Sequence, residues 1–145
     1  MLSSAVLGVV LVFAPASSRA DDLPKAIPGT WVVESVEFNG EKVADLAQKL
    51  QFTFDKTTMK LGGVEEILKD YASIQYKLDA TVTPPLIDLT VVQGAQKDAK
   101  LEGIIEVKGD TMRLCVKVVG NERPLKFESP ENANIALVTL KREKN

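Results

Sequence analysis

The feature that most constrains this chain is an alternation of apolar and polar residues with a period of two. Leu50, Phe52 and Phe54 alternate with Gln51, Thr53 and Asp55, and Ile87, Leu89 and Val91 enclose Asp88 and Thr90. Met112, Leu114, Val116 and Val118 alternate in the same way with Arg113, Cys115 and Lys117. Successive side chains of a strand point to opposite faces, so each run describes a strand with one face buried and one face wet. Turn residues interrupt the alternation roughly every 8 to 12 positions, the spacing expected of an antiparallel sandwich or barrel.

The first strand is expected over Thr30 to Phe38, ending at the turn signal Asn39-Gly40. Trp31 and Val33 share one face while Val36 and Phe38 share the other, so a β-bulge near Glu34-Ser35 is needed to keep all four inside. Val43, Leu46, Ala47 and Leu50 then fall at helical spacing and predict one short helix after the first strand. Strands follow around Leu50 to Phe54, around Met59 and Leu61, and over 72–78. Val64, Ile67, Leu68 and Tyr71 fit helical spacing, but spacing alone does not assign 64–71. After Pro84-Pro85 come Leu86 to Val92 and the clearest hairpin, Leu101 to Val107 and Thr111 to Val118 around Lys108-Gly109-Asp110. A short strand at Leu125 to Phe127 and a last one from Ile135 to Leu140 bring the expectation to eight or nine strands.

Residues 5–14 form an uncharged apolar run, too short for the ~20 residues that a helix needs to cross a bilayer. Ser18 and Ala20 stand at the small-residue positions before a signal-peptide cleavage site, and Asp21-Asp22 follow. The expected organisation is a signal peptide over 1–20, a polar linker over 21–28 containing Pro24 and Pro28, and one β domain over 29–145. Export to the periplasm or the extracellular space follows, with no membrane span.

Loss of Arg19 with the leader leaves 17 of the 18 basic side chains against 20 acidic ones, a net −3 with both signs interspersed. That charge pattern gives no support to nucleic-acid binding. The chain has no histidine and one cysteine, Cys115. Intramolecular disulfides, Ser-His-Asp and Cys-His catalysis and His-containing metal sites are therefore excluded. A carboxylate pair from Glu34, Glu37 and Glu106 is the one remaining route to glycoside hydrolysis, and such residues are more often a solvated strand face. Asp88 is read as solvent-facing, Arg123 as a turn residue with its guanidinium on a carbonyl or on Asp88, and Cys115 as a small packing residue. No metal or cofactor is expected.

Gly29-Thr30-Trp31 at the first strand and Lys141-Arg142 at the last resemble the G-x-W signature of the lipocalin fold. In that fold the tryptophan plugs the closed end of an eight-stranded barrel, and a basic residue near the C-terminus lies across the indole. Further segments carry a wider resemblance: Tyr76-Lys77-Leu78-Asp79, Ile87-Asp88-Leu89-Thr90, Gly103-Ile104-Ile105-Glu106, Gly109 to Cys115, Arg123-Pro124 and Leu140-Lys141-Arg142. Together they resemble a planctomycete-type family of small, often secreted, lipocalin-like domains of unknown function, over nearly all of residues 27–143. The chain departs from that pattern in a longer 64–73 segment and in Ile105, where the resemblance implies an aromatic residue. The family has no known catalytic residues, so the resemblance transfers none.

The resulting expectation is an all-β, antiparallel, eight- or nine-stranded lipocalin-like barrel with one short helix after the first strand. Gly29, Trp31 and Arg142 are its structural signature. Its expected function is non-catalytic binding, as a monomer, of a small apolar ligand at the barrel mouth opposite Trp31, with Phe52, Leu89 and Leu114 in the wall. The alternative is a solidly packed domain at the cell envelope that engages an exported protein and has no small-molecule ligand.

Overall fold

The computed structural model describes residues 22–47, 49–120 and 122–143; the leader assigned to residues 1–20 lies outside them. Nine strands run in chain order: β1 Gly29–Phe38, β2 Glu41–Lys42, β3 Gln51–Phe54, β4 Thr58–Gly62, β5 Ser73–Asp79, β6 Leu86–Gln93, β7 Lys100–Lys108, β8 Thr111–Lys117 and β9 Ile135–Arg142. From β3 onward each strand pairs with the next, and β1 pairs with both β3 and β9. All pairings are antiparallel, so β1 and β3 to β9 close an eight-stranded barrel. The two-residue β2 is an extra strand, folded back on the end of β1 by the Asn39-Gly40 turn.

The register change in β1 is resolved by a bulge. Pairing with β9 slips between Val33 and Ser35, and both Val33 and Val36 are buried as a result. Without the extra residue the period-two rule would turn Val36 and Phe38 outward. Inward faces of the other strands read directly from the alternation: Phe52 and Phe54, Ile74 and Tyr76, Ile87, Leu89 and Val91, then Met112, Leu114 and Val116 are all buried. Ile105, standing where the family resemblance implies an aromatic ring, is fully buried on the same face of β7 as Leu101 and Val107.

Three segments differ from expectation, and 64–71, which spacing leaves unassigned, takes a definite form. The supposed linker contains a helical turn, α1 Leu23–Ala26, and its Leu23 and Ile27 are buried in the core. Two apolar side chains with the proline-started turn between them convert this polar-looking stretch into a plug for the barrel end. The helix expected over 43–50 is a single turn, α2 Ala44–Ala47, because Leu50 is drawn into hydrogen bonding with Val33 as β3 begins. Residues 64–71 contain α3 Glu65–Asp70. Leu125 to Phe127 is not a strand; it belongs to an irregular strap, described over 118–120 and 122–134, that lies over the outer face of β7, β8 and β9.

That strap covers a second, smaller apolar cluster of Ile104, Cys115 and Leu137, with Phe127 and Ile135 packed against it. It explains why β7 and β8 carry buried side chains on both faces, as strands covered on two sides do. Arg123 fastens the strap to the sheet. Its Nη1 donates to the carbonyls of Gly103 at 2.8 Å and Ile87 at 3.2 Å, and its Nη2 lies 2.6 Å from Asp88 Oδ1. Cys115 Sγ is within 3.4 Å of the Lys126 carbonyl, and burial pushes its thiol pKa up.

Candidate functional site

The two ends of the barrel are built differently. At one end Trp31 is fully buried beneath α1, and its Nε1 donates to the Ile27 carbonyl at 2.9 Å. Arg142 lies over the indole with its Cζ 4.3 Å from the ring centroid. Its Nη2 donates to the Ala26 carbonyl at 2.6 Å and its Nη1 to the Pro28 carbonyl at 3.3 Å, satisfying carbonyls at the end of α1. Gly29 has φ +130°, and a Cβ there would stand 3.4 Å from Arg142 Nη1. Glycine at this position therefore serves both the backbone conformation and the close approach of the guanidinium.

At the other end the barrel interior is not filled. A partly open cavity of about 360 Å³ runs inward from the mouth, and no polar atom contributes to its wall. Phe52, Leu89 and Leu114 all line it. β1 runs away from Trp31 toward Phe38, and β8 runs from its pairing with Lys141 toward Val118, so Phe38 and Val118 mark the mouth opposite the indole. Val43 and Leu50, on either side of α2, join the wall.

The mouth owes its shape to a gap in the sheet. β4 and β5 pair only through Thr58–Gln75 and Met59–Ile74, and beyond those residues they diverge. α3 occupies the divergence and contributes Ile67 and, at its end, Tyr71 to the cavity wall. The Ala95 and Gln96 amides hold α3 through the carbonyls of Lys69 and Asp70, at 2.8 and 3.0 Å. On its other side Gly63 has φ +95°, and a Cβ there would overlap the Lys49 carbonyl. This contact needs glycine, and it seats the start of α3 against the β3 side of the rim. Sequence spacing placed Phe52, Leu89 and Leu114 on inward faces; it did not identify the α3 wall, whose Ile67 and Tyr71 belong, with Val64, to an apolar stripe without an assigned destination.

Of the acidic residues weighed for hydrolysis, Glu106 lies apart from Glu34 and Glu37, which share β1. Glu106, on β7, pairs with Arg113 at 2.7 Å, whereas Glu34, on β1, lies 3.7 Å from Lys141 on a strand that is not a neighbour of β7. Asp88 is half exposed and bound to Arg123. Among the described residues no group of three or more His, Cys, Asp or Glu side chains could hold a metal ion, and no helix is long and apolar enough to cross a membrane.

The fold and site define a closed antiparallel β-barrel, plugged at one end by α1 and Trp31 and hollow and apolar at the other. No family model, no curated protein and no solved structure matches the chain.

Proposed function

We infer that the protein is an exported, lipocalin-like binding module that takes a small apolar ligand in its barrel and performs no catalysis. The observation that carries this reading is the cavity. Its volume of about 360 Å³ falls within the range of roughly 300–1,000 Å³ common among ligand sites. An apolar ligand entering it exchanges water contact for a dry, preformed wall, which is favourable in proportion to the area removed from water. Nothing in the wall activates water or a nucleophile, which favours binding over reaction.

Export rests on the leader pattern of residues 1–20. The folded chain is already anchored by Leu23, so cleavage after Ala20 would leave the barrel and its plug complete. An intact mass lacking residues 1–20 from the envelope fraction is the expected result, and a retained leader would refute export by this route.

Docking to an exported protein has less support. Val119 and Leu125 are exposed on the strap, but two side chains fall far short of the roughly 800 Å² per partner that a standard interface buries. Titration of an environment-sensitive apolar dye into the folded protein tests the binding reading. Fluorescence should rise and saturate near one equivalent; absence of binding would overturn the reading.

A further inference from the structure

We propose that the cavity receives the hydrocarbon tail of a single-chain amphiphile end-on, with the polar head left at the mouth and contributing little to recognition. The proposal rests on the binding reading above and specifies its ligand class. Three observations carry it.

First, the wall offers no polar atom, so a head group placed inside would lose its hydration without gaining a hydrogen bond. Second, the cavity is blind: Trp31 and α1 fill the far end of the barrel, and the opening lies at the Phe38 and Val118 end. A ligand with polar groups at both ends would have to bury one of them, whereas a tail with one head need not. Third, depth limits the tail: a cavity of about 360 Å³ that ends at the Trp31 plug takes a finite length of chain, and methylenes beyond that length stay in water.

No charge inside the cavity selects a head. The cavity wall contains no Asp, Glu, Lys or Arg, and Tyr71 supplies its ring to the wall while its hydroxyl stays off the cavity surface. Head groups of either sign are therefore left in water, where charge interactions are screened and weak.

Competition against a bound apolar dye tests this, with two sets of probes kept below their micelle concentrations. Within the normal alkanols from hexanol to tetradecanol, affinity should rise about fourfold per methylene and level off once the tail fills the depth of the cavity, since each buried methylene contributes a constant transfer free energy. Decanol, decanoate and decyltrimethylammonium should bind within about fivefold of one another, because exposed charges contribute little. Dye binding without a chain-length dependence, or with one head favoured by more than about tenfold, overturns the end-on proposal while leaving the binding reading intact. A protein that binds neither dye nor alkanol refutes both.

Discussion

Arg142 reaches the Ala26 carbonyl across 116 positions of sequence, and through that contact the last strand holds the first helical turn over Trp31. The indole is the largest fully buried side chain, and its only polar atom is satisfied by Ile27. Trp31→Ala should therefore cost about 3–5 kcal/mol as a large-to-small core change. Arg142→Ala should cost less, about 1–3 kcal/mol, mostly by leaving the Ala26 and Pro28 carbonyls without a charged donor. Urea unfolding of the two variants checks the order, and an Arg142→Ala loss exceeding that of Trp31→Ala would show that the guanidinium, not the indole, holds this end. Tyr76 belongs to the same scale. Burial, and secondarily the charge of Asp55, raise its pKa above the ordinary 10.0, and its hydroxyl donates to the Asp55 carbonyl. The folded state thus favours the protonated phenol. That contribution is complete below pH 10.0 and is lost as pH rises through the elevated folded value. The urea midpoint should fall above pH 10, and Tyr76→Phe should flatten the fall; an unchanged slope in the variant would assign the alkaline loss elsewhere.

Among the elements, the strap is the one whose role the sequence conceals. Residues 118–120 and 122–134 have little regular structure, yet they bury Cys115 and cover the outer cluster through one multiply bonded arginine. Arg123→Ala removes donors to the Gly103 and Ile87 carbonyls and to Asp88, and should cost about 1–3 kcal/mol. It should also raise the rate at which an aromatic disulfide reagent modifies Cys115, since the thiol is shielded by the Lys126 and Glu128 carbonyls. Equal rates in the variant and the parent would mean that the strap is held by its Phe127 contact instead. Strands and their faces were legible because period-two burial is local: Leu114 faces in because its neighbours Arg113 and Cys115 do not. The bulge at Val33 to Ser35 was legible for the same reason, as the only repair for a broken period. The strap, the α1 plug and α3 were not legible in full. Each is held by partners distant in sequence, such as Arg142 for α1 and Ala95 with Gln96 for α3, and local periodicity carries no record of such partners.

For the molecule as a whole the deciding quantity is volume, which alternation cannot supply. The same inward residues could interdigitate or leave a void, and the structure shows a void next to Leu114. A filled core and a hollow one respond oppositely to a larger side chain. In a close-packed interior an added ring forces neighbours off their rotamers and costs about 1–3 kcal/mol. In the hollow barrel Leu114→Phe has the cavity to grow into, so stability should change by less than about 1 kcal/mol while the dye binds at least tenfold more weakly. The chain length at which alkanol affinity levels off should also shorten, because the new ring occupies space otherwise open to the tail. Urea unfolding and dye titration on the one variant separate these cases. Destabilisation beyond about 1 kcal/mol with unchanged dye affinity would show that Leu114 faces packed core and that the ligand lies elsewhere.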